Sequence, residues 1–147
     1  MRKISLAFIC LIALFSVISL LTGCTTTSTG PAFEAQTVPE GKALVYVYRY
    51  GTGKGALKTY VIEVNGYKIA SLSNNSYIPY TARHGLTEFS SRAEYTSSVR
   101  ANIKAGQTYY LRLSVEKGAL VGRPKLKFVS EEIGKSEIAG CKIIGGN

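Results

Sequence analysis

The stretch Lys42–Tyr50 (KALVYVYRY) constrains the fold more than any other part of the chain. Its residues are mostly β-branched or aromatic, and apolar side chains fall on both parities. That describes a strand of ordinary length with no polar face, and such a strand has to be covered on both sides. The chain must therefore place one layer above this segment and another below it.

The remaining segments supply further strands. Leu57–Val64 and Tyr67–Leu72 flank Asn65-Gly66. Asn-Gly between apolar runs marks a tight hairpin, because both residues accept the positive φ of a type I′ turn. Ser76–Tyr80 reads as a short strand that Pro79 pushes to a sheet edge. His84–Arg92 and Ser98–Lys104 follow, and Ala105-Gly106 turns the chain into Gln107–Glu116. That run alternates, with Tyr109, Leu111, Leu113 and Val115 on one face and Tyr110, Arg112, Ser114 and Glu116 on the other. Lys125–Ser130 sends Leu126 and Phe128 inward, and Glu131–Ala139 has room for a short helix weakened by Gly134. Seven to eight strands at this spacing predict an all-β domain over residues 41–147. The architectures that fit are an antiparallel β-sandwich, Ig-like or transthyretin-like, and a small barrel.

The start of the chain is of another kind. Arg2 and Lys3 precede Ile4–Leu21, a run of 18 residues without charge, and Leu21-Thr22-Gly23-Cys24 follows. A basic start, an apolar core and small residues before a cut site are the parts of a secretory signal. Leu-Thr-Gly-Cys resembles the bacterial lipobox. That resemblance implies removal of residues 1–23, a diacylglyceryl group on Cys24, and acylation of the new amino terminus by a fatty acid such as palmitate. Two or more acyl chains hold a protein on a membrane stably, where one does so only marginally. The other reading is an uncleaved anchor, since 18 residues just span a bilayer.

Thr25–Glu40 is rich in Thr, contains Pro31 and Pro39, and reads as a flexible tether with a reach of roughly 20–25 Å. Thr25, not Asp, follows Cys24. By resemblance to the sorting rule of enteric-type bacteria, this implies the outer membrane, facing the periplasm, in a host with two membranes.

Composition narrows the chemistry. The 147 residues include no Asp, one His and three Cys. After processing, Cys10 is gone and Cys24 carries lipid, so Cys141 is left without an intramolecular disulfide partner. With sixteen Lys and Arg against nine Glu, the mature chain is +7. No cofactor and no metal site is expected. His84 beside Gly85 reads as a turn residue, no Gly-x-Ser-x-Gly elbow is present, and an enzyme is not expected. Gly51-Thr52-Gly53-Lys54-Gly55 lacks the phosphate-loop spacing and reads as a hairpin loop. Cys141 reads as a small packed residue, with a reactive thiol or a link between two copies as the alternative. Most of the ten Tyr, among them Tyr46, Tyr48 and Tyr50 on one strand face, read as sheet packing.

The densest basic group is Lys117, Arg123, Lys125 and Lys127, with Lys125 and Lys127 on one strand face. The apolar tip Leu120-Val121 lies between Lys117 and Arg123, with Gly118 and Gly122 on either side. Such a loop can insert between lipids or dock on a partner, its charges drawn to anionic headgroups or polymer; Leu120 and Val121 can equally fold back onto the core. Nucleic acid is not an expected partner for an exported chain, despite the basic pI.

Several segments resemble a bacterial lipoprotein family catalogued as domain of unknown function 2846. They are Gly41–Arg49 (GKALVYVYR), Ala105–Arg112 (AGQTYYLR), Val121–Leu126 (VGRPKL) and Ile138–Lys142 (IAGCK). His84-Gly85 stands where that family's pattern has Pro-Gly. The resemblance implies an envelope location and a β fold. It implies no activity, so no catalytic residue carries over. The expectation is a membrane-held, non-enzymatic binding module; the alternative is an accessory subunit of an envelope assembly, recruited by β-strand addition.

Overall fold

The structure, a computed structural model, describes residues 30–51, 57–118 and 122–144. The expected signal segment, Cys24, most of the Gly51–Gly55 loop, and Leu120 and Val121 lie outside the described residues. The elements are β1 (Lys42–Arg49), β2 (Tyr60–Val64), β3 (Tyr67–Leu72), β4 (Ser76–Arg83) and β5 (Gly85–Arg92). They continue through β6 (Thr96–Ile103), β7 (Thr108–Glu116), β8 (Arg123–Val129), a helix α1 (Glu131–Ile138) and β9 (Lys142–Ile143).

Two sheets form. One has five strands in the order β8-β7-β1-β4-β9, the other four in the order β3-β2-β5-β6. They stack face to face as a sandwich. At one side β8 leans toward β6, where the Leu126 amide donates to Ser97 Oγ at 3.0 Å.

β1 runs through the middle of the five-stranded sheet, and every residue from Ala43 to Arg49 is buried. Its odd positions Ala43, Val45 and Val47 join Ile62, Leu72, Phe89, Ile103, Leu111 and Leu113 in the core between the sheets. Its even positions Leu44, Tyr46 and Tyr48 face outward into a second cluster with Tyr77, Tyr110, Ile138 and Cys141. The cover on both sides that the sequence demands is thus a sheet on one side and α1 with an N-terminal segment on the other.

The Asn65-Gly66 turn forms as expected, with φ of 50° and 83°, and joins Val64 directly to Tyr67. Ser130 caps α1 by accepting from the Ile133 amide, and Glu131 and Glu132 sit in its first turn, where carboxylates favour the helix dipole. Gly134 does more than weaken this helix. A Cβ there would lie 2.2 Å from Tyr110 Cγ, so only glycine lets α1 rest on the ring.

Three expectations change. The sandwich forms, but the five-stranded sheet is mixed rather than antiparallel. β1 pairs with β7 in parallel, from Leu44↔Thr108 to Tyr48↔Arg112, and β4 pairs with β9 in parallel. The cause is connectivity: β6 ends at the rim where β1 begins, so β7 starts there and runs the same way. Second, β4 extends to Arg83 and lies inside its sheet. Pro79 fits because the carbonyls of Asn75 and Tyr77 point to β9, accepting from Lys142 and Ile144. Pro79, next in that alternation, falls beyond the two-residue β9, where no amide is needed.

Third, the described part of the Thr25–Glu40 segment is not a loose tether. Pro31 accepts from the Ile143 amide at 3.0 Å, and Ala32 bridges Lys142. Phe33 meets Tyr46 and Tyr77 edge-on at 5.0 and 5.3 Å, and the Gln36 amide donates to the Tyr46 hydroxyl at 2.6 Å. The segment docks because these tyrosine faces would otherwise be wet, and a buried aromatic contributes about 1.5–3 kcal/mol.

Candidate functional site

Strand β8 alternates between exposed and buried residues. Arg123, Lys125 and Lys127 project outward while Pro124 and Leu126 are buried. The β7–β8 register sets Lys127 opposite Arg112, Lys125 opposite Ser114 and Arg123 opposite Glu116. The result is a polar stripe on the part of the outer sheet face that the tyrosine cluster leaves open. Lys117 is exposed just beyond the end of β7. The structure thus brings together four of the six residues singled out by sequence; Leu120 and Val121 are outside the described residues.

Part of this charge is already matched. Lys125 Nζ lies 2.7 Å from Glu116 Oε1, and this hydrogen bond and charge hold the Glu116 carboxyl below its usual range. The Arg123 guanidinium sits 4.2 Å above the Tyr95 ring, a cation–π contact. Arg112 Nη1 reaches Glu137 Oε1 at 2.6 Å. Among the described residues, Lys117 and Lys127 form no ion pair. The stripe presents more cationic than anionic side chains, an arrangement that attracts anions.

A polar knot that the sequence did not announce lies where α1 meets the sheet. Glu137 accepts from the Tyr48 hydroxyl at 2.6 Å and from Arg112. Burial, then the hydrogen bond to Glu137, pushes the Tyr48 hydroxyl well above the ordinary tyrosine range. Beside it the Cys141 thiol points at the carbonyls of Arg49 and Glu137, at 3.7 and 3.8 Å. Burial, and secondarily the Glu137 charge, pushes the thiol pKa up to about 12. Cys141 is therefore a packed, protonated thiol, which supports the bland of its two readings.

Arg49 is fully buried, donates to the Lys58 carbonyl and lies 4.9 Å from the Tyr60 ring centroid; burial lowers its pKa. His84 is exposed in the turn before Gly85, whose φ is 116°. No metal-binding group of three occurs among the described residues. A cleft of ≈ 450 Å³ opens between residues 31–37, Tyr77 and Ile143, with Glu34 as its one charged lining residue. Of the expected Tyr face, Tyr46 and Tyr48 are buried packing and Tyr50 is 44% exposed.

The fold and this stripe define a class: a two-sheet β-sandwich with an added outer layer and a basic edge. The chain belongs to the family described as protein of unknown function (DUF2846), whose model matches residues 39–124. That match runs from the rim before β1 to the start of β8, so the tail similarity around Ile138–Lys142 lies beyond it. No curated protein matches the chain.

Proposed function

We propose that the protein is a lipid-anchored envelope lipoprotein, held by acylated Cys24, that acts as a non-enzymatic binding module. Its ligand is an anionic envelope component, lipid or polymer, or a protein partner. In a host with two membranes it sits on the outer membrane facing the periplasm. Residues 1–23 are the signal, and the module needs no cofactor and does not bind nucleic acid. The Leu21-Thr22-Gly23-Cys24 motif after an uncharged run of 18 residues supports the anchor. The observation that carries the binding role is the outward row Arg123, Lys125 and Lys127 with Lys117 at its end.

Two experiments test this reading. A fatty-acid analogue fed to cells should label the protein, and Cys24→Ala should abolish both label and maturation. Crosslinking in cells should capture a component that is lost when Lys125 and Lys127 are reversed to Glu. Unchanged crosslinks would remove the basic stripe from the reading.

A second reading has its own observation. β3 is the outer strand of the four-stranded sheet, and only Leu72 of its six residues is buried. The outer side of β9 is bridged by Ala32, and β8 touches Ser97 of β6, so β3 is the most available template for strand addition by an assembly partner. Salt separates the two readings. Binding to an anion weakens steeply as ionic strength rises, whereas binding by strand addition hardly changes.

A further inference from the structure

The strand registers gather one rim of the sandwich from distant parts of the sequence. β1 ends there at Arg49, β4 begins there at Ser76, and β9 begins there at Lys142. β7 runs parallel to β1, so Lys117 and Arg123 lie at the same rim. Tyr60 joins it by donating to the Gly122 carbonyl at 3.2 Å, and the β2–β5 register brings Arg92 with it. Three large apolar side chains are exposed on this rim: Leu57 at 92%, Tyr95 at 54% and Tyr50 at 44%. Around them stand Lys58, Arg92, Lys117, Arg123 and Lys142, against Glu94 and Glu116.

Charge alone does not choose this rim. The opposite one carries Lys42, Lys68, Arg83 and Lys104 with exposed Tyr67 and Leu86. The entry of the chain does choose. Gly30 lies against Ile143, Ile143 is level with Tyr77 and Tyr77 with Tyr48. Tyr48 is one residue from the end of β1 and six from Lys42. At about 3.3 Å per residue, Gly30 is within about 7 Å of the near rim and about 20 Å from the far one. Cys24 is six residues before Gly30, and six residues span at most about 20 Å. The antiparallel bridge of Ala32 to Lys142 makes the chain leave Gly30 pointing away from the near rim. Yet six residues of relaxed chain reach only roughly 12–15 Å, enough to turn back to the near rim and short of the far one.

We propose that the rim carrying Tyr50, Leu57, Tyr95, Lys58, Lys117 and Lys142 docks on the anionic surface of the membrane that holds the protein, an inference that rests on the lipid-anchor reading. The aromatic rings suit the headgroup layer, with an apolar body and a polar tip. The cations gain roughly fivefold in affinity for each charge placed near an anionic surface. Docking fixes the orientation of the domain, leaving the far rim with Tyr67 and Leu86 turned away from the lipid.

The test uses the full chain, purified from membranes and reconstituted into phosphatidylcholine vesicles with and without phosphatidylglycerol. A fluorophore is attached through Lys58→Cys at the near rim or Lys104→Cys at the far rim; buried Cys141 does not compete for the label. Quenching by a headgroup spin-labelled lipid should be stronger at position 58, and the excess should shrink without phosphatidylglycerol. Adding Lys117→Glu and Lys142→Glu should remove that excess. Equal quenching at both positions, stronger quenching at 104, or indifference to the double reversal would overturn the orientation. Fatty-acid labelling of the same preparation separates the failures. Label with equal quenching sinks only this inference, and absence of label sinks the anchor with it.

Discussion

The two faces of the five-stranded sheet are covered by different means. Among the described residues, fourteen buried ones form the inner cluster, most of them aliphatic, and they come from strands that face one another. Seven form the outer cluster; four of these are Tyr, and its cover is one helix and a segment without regular structure. On the inner side, alternation alone delivers apolar surface to apolar surface. On the outer side each hydroxyl brought into the layer needs a partner, and these come from remote positions: Gln36 for Tyr46 and Glu137 for Tyr48. A face built by periodicity tolerates local change as long as volume is kept. A face built from single contacts fails contact by contact.

The largest expected effect is on the inner side. Phe89 is fully buried and stacks edge-on with Tyr80 and Phe128, at 6.0 and 5.8 Å. Phe89→Ala should cost about 3–5 kcal/mol in chemical denaturation; a loss below 1 kcal/mol would mean the two sheets are not packed as described. Next, Glu137→Ala strands the Tyr48 hydroxyl and Arg112 together and should cost about 2 kcal/mol. Tyr48→Phe combined with it should recover part of that loss, whereas simple additivity would argue against the shared carboxylate. Phe33→Ala should cost about 1 kcal/mol, the scale of its aromatic contacts. Its sharper signature is faster hydrogen exchange at the Ile143 and Gln36 amides, with the inner core unchanged.

The effect that is absent at neutral pH and grows only in alkali belongs to the outer face. The Cys141 thiol, at about 12 against an ordinary value of 9.0, is raised on folding, so its contribution to stability is complete below pH 9. It is lost progressively as pH rises from there toward 12, because the unfolded chain ionises first. The difference between the native protein and Cys141→Ala should shrink over that window. At pH 8 the native thiol should react with a disulfide reagent roughly a thousandfold more slowly than the unfolded one. Equal rates would place Cys141 at the surface.

The same contrast explains what could be read from the sequence. Gln107–Glu116 and Lys125–Ser130 announce their faces because polar residues recur on one side of each, even though Tyr110 on that side of β7 is buried, and the outward row Arg123, Lys125 and Lys127 follows from that parity. The Asn65-Gly66 turn is legible because its chemistry is local. Strand direction leaves no mark on a period of two, so the parallel pairing of β1 with β7 is invisible in the residues. Phe33 and Gln36 sit in a segment without period, and their fit to Tyr46 and Tyr77 exists only in three dimensions. Gly134 has two meanings, and propensity shows only the unfavourable one. In the candidate site, the four basic residues were legible, but the pairing of Lys125 with Glu116 depends on how the turn between β7 and β8 sets their register.

The parallel pairing also dictates an order of assembly. Val64 meets Tyr67 across a two-residue turn, and Glu116 meets Arg123 across six residues, so these hairpins close cheaply. Val45 waits for Tyr80, 35 residues later, and for Tyr109, 64 residues later. Contacts so distant close slowly, since the entropy of the loop is lost before any pairing repays it. The most apolar strand of the molecule is therefore among the first to be synthesised and the last to be enclosed. Until β7 arrives, β1 presents an unpaired edge that a second copy can occupy, so the commonest error in making this fold should be an intermolecular β1 pairing.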